Sequence, residues 1–370
     1  MLHLAIANLV QNKPRFLLSV GGLGLALTLV LFFGAVFDGA QSRLTAYIDH
    51  AGADVWVSQQ GVNTMHMSSS ALPASVTDQV AVVPGVEQAV PILYAQDMIQ
   101  AGGKDYIAYV FGVALGAPMG GPWNIVDGNS QLGPGEAIID HAIAAKAGVG
   151  VGDLVTVLGR DVRVAGLTSG TSSLVSSATF IGMDEFASVR GQGTVISYLL
   201  VKVKPGESAA AVSARIAQNV SGVTVQTRAE FAAQEGKLVK DMSADIVSIM
   251  NTAGYLTGLA VVVLTVYIAT IARRREYGVL KAIGVSNGRL YQIVVLQAFI
   301  SAGLGLIAAL AITLLLSEAI PRFNELLVIS VNTASVLRVA AIAVLLAGLA
   351  ALLPARHLAS LEPITAMRKG

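Results

Sequence analysis

Four long apolar runs set the terms on which this chain can fold. Phe16–Phe37, Ile249–Ala272 and Leu290–Ser317 contain no Asp, Glu, Lys or Arg, and about Thr333–Leu353 contains only Arg338. A helix crosses ~30 Å of hydrocarbon with about 20 apolar residues. Each run therefore predicts a membrane span. Leu290–Ser317 is longer than a span requires, which predicts tilt or extension past the bilayer. Arg338 falls near one end of the fourth run, where its side chain can snorkel to the headgroups. Composition agrees: 13% of the 370 residues are charged, against about 25% in soluble domains.

Lysine and arginine fix the orientation, because cytoplasmic flanks collect them. Lys13, Arg15, Arg273, Arg274, Arg275, Lys281, Arg289, Arg356, Arg368 and Lys369 fall on one side, and Arg322 and Arg338 on the other. Both termini are therefore expected inside, with residues 38–249 outside and 318–332 as a short outer loop. Phe16–Phe37 exceeds the apolar core of a cleaved leader, about 7–15 residues, so it reads as a retained span. Ahead of it, Leu2, Ile6, Leu9 and Val10 recur at helical spacing before Pro14. Residues 1–15 thus read as a short interfacial helix on the inner leaflet, or else as a frayed end.

Residues 38–249 read as a mixed α/β segment. Asp38–His50 and Glu230–Ser248 would continue the adjoining spans as stalk helices. Alternation in Ala53–Gln59 predicts a strand. Further strands are expected at Val86–Ile92, Tyr106–Val113, Glu136–Ile139, Tyr198–Val203 and Val223–Thr227, and a hairpin over Gly152–Gly159 and Val162–Gly166. Helices are expected at Val76–Val82, at His141–Ala147 closed by Gly148, and at Ala209–Gln218. With no cysteine, this segment has no disulfides and depends on its core.

Chemical motifs are sparse. Gly102-Gly103-Lys104 precedes Asp105 rather than Ser or Thr and lacks the spacing of a phosphate-binding loop. His3, His50, His141 and His357 pair with no nucleophile, and Gly170–Ser173 lacks the G-x-S-x-G spacing of a nucleophile elbow. Net charge is +1, which gives no basis for nucleic-acid binding. Met65-His66-Met67 offers thioether and imidazole ligands for copper or haem iron. The same loop could instead make apolar contact with a lipid or a partner. Gly254 and Gly258 form a G-x-x-x-G, and Gly21, Gly22 and Gly24 smooth the first span. The expectation for Gly254 and Gly258 is close helix packing at a dimer interface. Chance spacing is the alternative, with 38 glycines in the chain.

The basic segment between the second and third runs is the most telling motif. Residues 273–289 form a short cytoplasmic loop able to hold two helical turns, with Gly284 past the end and Ser286 placed to cap the next helix. Glu276, Gly278, Leu280, Lys281, Ala282 and Gly284 resemble the E-x-G-x-L-(K/R)-A-(hydrophobic)-G signature of ABC transporter permeases of the FtsX/MacB superfamily. Pro354, Ala355, Pro363, Ile364, Ala366 and Arg368 resemble that family's closing pattern, with His357-Leu358 departing from it. Gly52–Gly61 and Asn63–Met67 are similar to the DevC and HrtB branch.

The resemblance implies a four-helix membrane protein with a MacB-like periplasmic core domain between helices 1 and 2. Within it, Tyr198–Thr227 resembles the porter-like half and Glu136–Gly166 the other half. It further implies a non-catalytic subunit in the inner membrane. A separate ATPase, in two copies, would bind ATP and magnesium and contact Arg274, Glu276, Gly278, Leu280, Lys281, Ala282 and Gly284. The permease would be a homodimer, moving an amphipathic substrate such as haem, a lipid, a peptide or a lipoprotein by mechanotransmission. A DevC-like role would add a periplasmic adaptor. Two competing expectations are an FtsX-like signalling protein that moves no substrate, and a membrane-anchored enzyme.

Overall fold

The computed structural model describes residues 13–172, 177–191, 193–272, 279, 282–283, 285–323 and 327–359. In chain order the strands are β1 (Val55–Gln59), β2 (Leu72–Pro73), β3 (Val86–Ala101), β4 (Lys104–Val113), β5 (Ile125–Gly128), β6 (Glu136–Asp140), β7 (Leu154–Val157), β8 (Arg160–Thr168), β9 (Ser177–Gly182), β10 (Val195–Ile196), β11 (Tyr198–Val203) and β12 (Val223–Thr227). The helices are α1 (Lys13–His50), α2 (Val76–Ala81), α3 (His141–Ala147), α4 (Met183–Arg190), α5 (Ala209–Asn219), α6 (Arg228–Ala272), α7 (Asn287–Phe323) and α8 (Thr333–Ala359). They form two units, one mainly Ala40–Met242, the other Met1–Gly39, Ser243–Asn324 and Val328–Gly370.

The first unit is built on a ten-stranded mixed sheet, ordered β12-β1-β11-β3-β4-β9-β6-β8-β5, with β7 paired to β3 and β8. The period-2 alternation of strand side chains sorts its core. Val55 and Val57 of β1, with Leu199 and Val201 of β11, pack with Val80 of α2 and Val212 and Ile216 of α5. Trp56, Tyr198 and Leu200, one residue out of phase, pack with Tyr47 and Ile48 of α1 and Phe231 of α6. A third cluster joins Leu93, Val110 and Ile181 to Ile143 of α3 and Phe186 of α4. β11, α5 and β12 form a β-α-β unit that is split, because β1 runs antiparallel between its strands.

β3 runs nine residues beyond the expected Ile92, and pairs with β4 over ten positions from Ile92↔Val113 to Ala101↔Lys104. Polar residues in Tyr94–Gln100 hide the strand in sequence, because one face of this stretch is open. Gly102-Gly103-Lys104 is the hairpin turn: Gly102 and Gly103 have φ of +57° and +74°, the left-handed pair that a two-residue hairpin loop demands. β5, β9 and α4 were not legible in the sequence. The expected hairpin at 152–166 forms as β7 and β8.

In the second unit, Val20–His50 and Gly288–Phe323 are long and apolar enough to cross a membrane, and Thr333–Leu349 is a shorter apolar helix. The expected second span, Ile249–Ala272, is the latter part of α6. α7 outruns the expected 290–317 at both ends, taking Glu318 and Pro321 from the expected outer loop, and α8 passes Leu353 and Pro354. Hydropathy marks where lipid ends; helical hydrogen bonding need not end there.

The glycines of α6 pack against α1 within the chain. A Cβ on Gly254 would lie 2.6 Å from Val30 Cγ2, and one on Gly258 3.4 Å from Ala26 Cβ. From the other side, a Cβ on Gly22 would lie 2.7 Å from Val261 Cγ1. Small residues bring α1 and α6 together here, as small-residue stripes do in membranes.

Candidate functional site

The side chains that converge most tightly surround Glu235, on the part of α6 that belongs to the sheet-bearing unit. Glu235 is 1% exposed. Its Oε2 accepts the Met65 N–H at 2.6 Å, and its Oε1 lies 2.6 Å from His66 Nδ1 and 3.4 Å from His66 N. One buried carboxylate thus gathers two successive amides and an imidazole. Charge-assisted bonds of this kind are about twice as strong as neutral ones. Removing one partner of a buried pair costs about 3–5 kcal/mol.

The loop so held is fixed elsewhere too. Tyr198 Oη donates to the carbonyls of Thr64 and Ser68 at 3.3 and 3.4 Å, and Gln59 N donates to Ser70 Oγ at 2.9 Å. The His66 ring meets Tyr109 edge-on, centroids 4.4 Å apart, with Tyr94 at 6.4 Å. Burial pushes the Tyr94 and Tyr198 phenols far above their ordinary range, with Glu235 adding to both. Both stay protonated at neutral pH; Tyr198 donates to the loop, while the Tyr94 hydroxyl is buried without a hydrogen-bond partner. The unfolded chain ionises near pH 10, so proton binding favours the folded state and its stability falls as pH rises past that point. The melting temperature of this unit, followed by its two tryptophans, Trp56 and Trp123, is expected to drop between pH 9 and pH 11. An unchanged value would show that the phenols titrate normally.

Beside this loop lies a pocket of about 350 Å³, within the usual range for small-molecule sites, about 300–1,000 Å³. Its wall includes Met65–Ala71, Tyr94, Gln96, Phe186 and Arg190. Arg190 pairs with Asp97 at 2.5 Å. A second cavity of about 20 Å³, also touching His66, lies among Arg43, Tyr109, Trp123 and Thr171. That is room for about one water.

Met65, His66 and Met67 share the pocket wall in unlike surroundings. Met65 is 1% exposed in the core and Met67 61% exposed, while His66 is engaged by Glu235. Among the described residues no group of three His, Cys, Asp or Glu is placed to hold a metal. Glu235 carried no sequence signal, being one acid among several on an exposed-looking helix. His50 is taken up locally: Nδ1 is 2.7 Å from the Ala46 carbonyl, and the ring stacks on Trp123 at 5.1 Å. Thr171, from the serine-rich stretch, donates to buried Asp140, the N-cap of α3. Neither arrangement is a nucleophile with its base.

Of the expected ATPase-contacting residues, Arg274, Glu276, Gly278, Leu280, Lys281 and Gly284 lie outside the described residues. Ala282 is helical. Its neighbours Val279 and Ile283 are joined by an Ile283 N–H to Val279 carbonyl bond of 3.1 Å. They expose 41% and 73% of their surface. Four residues apart, they share one side of a helical turn.

Residues 16–219 match the family described as MacB-like periplasmic core domain, and residues 248–363 match the FtsX-like permease C-terminal family. The chain belongs to the FtsX/MacB superfamily of ABC transporter permeases. It is 23% identical over 368 residues to uncharacterised ABC transporter permeases of Mycobacterium bovis and Mycobacterium tuberculosis, covering 99% of each chain. A second permease of Mycobacterium tuberculosis is 25% identical over 348 residues, covering 93% of both. Among solved structures it is similar to the periplasmic region of MacB from Actinobacillus actinomycetemcomitans, with 13% identity and TM-score 0.37 over 50% of this chain and 94% of that one. It is also similar to the extracellular domain of the transporter YknZ from Gram-positive bacteria, with 14% identity and TM-score 0.36 over 47% and 99%. As an ABC permease it is a membrane protein that works with an ATPase.

Proposed function

We infer that this permease is a non-catalytic, four-span subunit, a homodimer in the inner membrane with both termini in the cytoplasm. Two copies of a separate ATPase bind ATP and magnesium and engage residues 273–284. Closure of the ATPase pair moves the spans, and the motion passes along α1 and α6 to the extracytoplasmic unit. The substrate is amphipathic and handled on the outer side. Haem, a lipid, a peptide or a lipoprotein has that character, and a DevC-like system would add a periplasmic adaptor.

The observation that carries this reading is the exposed Val279–Ile283 pair inside the segment that resembles the family's coupling signature. Burying a side chain of this size contributes about 1.5–3 kcal/mol. Val279 is already more than half covered, so burying what the pair still exposes would supply about 2–3 kcal/mol of association, roughly 30- to 150-fold in affinity. The pocket in the extracytoplasmic unit supports transport over signalling alone, because a signalling permease needs no cavity there. Val279→Asp/Ile283→Asp is expected to weaken ATPase association by about a hundredfold, read by co-purification and by ATP hydrolysis in lipid. Undiminished association would remove this face from the interface.

A further inference from the structure

The sheet is interrupted beside β3. β11 pairs with β3 as far as Tyr198↔Ile92, and β7 takes up the same side at Ile99 and Gln100. Between those points, among the described residues, no strand lies along that side of Leu93–Met98. The register says which backbone groups face the gap. In an antiparallel ladder alternate residues turn both N–H and C=O to the same neighbour. The hairpin at Gly102-Gly103 closes on the pair Ala101↔Lys104, so odd-numbered residues of β3 bond to β4 and even-numbered ones face away. Tyr94, Gln96 and Met98 therefore turn their backbone into the gap. Ser197 ends the β11 pairing with its side chain: its Oγ accepts the Tyr94 N–H at 2.9 Å and donates to the Tyr94 carbonyl at 3.4 Å. The Met98 N–H turns to Asp97 Oδ1 at 2.8 Å. Gln96, exposed between them, keeps an N–H and a C=O that no neighbouring strand among the described residues takes up.

We propose that this gap is a strand-addition site, in which an unstructured peptide lies extended along Tyr94–Met98 and pairs its backbone with Gln96. The gap opens into the 350 Å³ pocket, between the loop Met65–Ala71 and Phe186 and Arg190 of α4. Four residue steps span about 13 Å, room for about four residues of peptide. Ser197 and β7 stop the slot at its ends, and the loop and α4 wall its two faces. Such a slot admits a flexible peptide and excludes the sheet edge of a folded partner. Strand addition takes affinity from the main chain and specificity from alternate side chains. On the face of Tyr94, the peptide's side chains meet His66 and Met67, which is 61% exposed. On the other face they meet the Arg190–Asp97 pair. The site thus selects an apolar side chain on one face and a polar one on the other. This deepens the permease reading by choosing peptide among the amphipathic substrates, and it rests on that reading for the peptide's role as cargo. Binding itself needs no ATPase.

The test uses the full chain in lipid nanodiscs and a fluorescent synthetic peptide of about six residues, alternately Val and Thr, long enough to fill the slot. Binding should slow exchange of the Gln96 amide about tenfold or more, while Ala95 and Asp97, already bonded to β4, stay unchanged. The same peptide N-methylated throughout keeps its side chains and loses its donors, and should bind about tenfold or more weaker. Gln96→Pro removes the N–H on the side away from β4, where a strand tolerates proline, and should weaken binding by a similar factor. If that variant fails to fold, Ser69→Trp fills the pocket from the loop and should abolish binding. Equal binding of the N-methylated peptide, or a Gln96 amide already slow without peptide, overturns the proposal. Protection of Gln96 that rises with protein concentration alone assigns the edge to a second copy and also overturns it. Peptide binding that leaves ATP hydrolysis by the reconstituted ATPase unchanged overturns the role as cargo and leaves the strand-addition site standing.

Discussion

Gly102→Ala is expected to destabilise the extracytoplasmic unit by about 3 kcal/mol, while Gly103→Ala, its neighbour in the same turn, costs about 1 kcal/mol. Both glycines hold a left-handed φ, so both variants incur the steric strain of a Cβ there. Only Gly102 has a neighbour in the way. A Cβ on it would overlap the carbonyl oxygen of Ala147, the last residue of α3, whereas a Cβ on Gly103 meets nothing. The obstacle is backbone and cannot rotate aside. Relief requires the turn to lift off α3 or α3 to move, opening the core around Ile143 and Ala144. For a domain of this size each kcal/mol moves the melting temperature by about 2–4 °C. The two variants should thus separate by several degrees in tryptophan-monitored melting. Equal losses would mean that φ alone matters and that the close approach to Ala147 is wrong.

The second large effect is expected at Gly39, in α1. A Cβ there would overlap the carbonyl oxygen of Val328, where the chain entering α8 crosses α1. The crossing is fastened on both sides of the glycine. Ser330 N donates to the Ala35 carbonyl at 2.9 Å. Asp38 accepts from Asn332 Nδ2 at 2.6 Å and from Ser335 Oγ at 2.9 Å, and Asn332 Oδ1 accepts Ser335 N at 2.7 Å as the cap of α8. Gly39→Ala cannot keep these bonds and admit the methyl group, so the crossing should detach. The expected loss is about 3 kcal/mol, from overpacking and the stranded polar partners. Gly34→Ala, in the same helix with nothing near its Cβ, should be neutral or slightly stabilising through helix propensity. A thermal melt in detergent compares the two; a stable Gly39→Ala would contradict the crossing.

The sequence was most legible where one physical constraint acts alone. Lipid demands long apolar helices, and the runs Phe16–Phe37 and Leu290–Ser317 fall in the two that are long and apolar enough to cross a membrane. Strands buried on one face alternate, and β1 and β11 were found that way. Legibility failed where two constraints overlapped. β3 beyond Ile92 mixes core residues such as Ile99 with exposed ones such as Met98, so it resembles neither a buried strand nor a loop. Gly254 and Gly258 sit where α6 packs on α1. A small-residue stripe states that a helix comes close and carries no information about which chain it belongs to. The Glu235–His66 pair lies 169 residues apart in sequence, and the lone histidine gave only half of it.

ATP hydrolysis by the cognate ATPase, reconstituted in lipid with this permease, tests the central claim most directly. Wild type is compared with Val279→Asp/Ile283→Asp and with Glu276→Arg/Gly278→Trp, both within the coupling segment. The account predicts an active complex with wild type, and loss of assembly or of permease-dependent hydrolysis with both double variants. Hydrolysis and assembly indifferent to both would reduce residues 273–284 to a basic loop and contradict the coupling role.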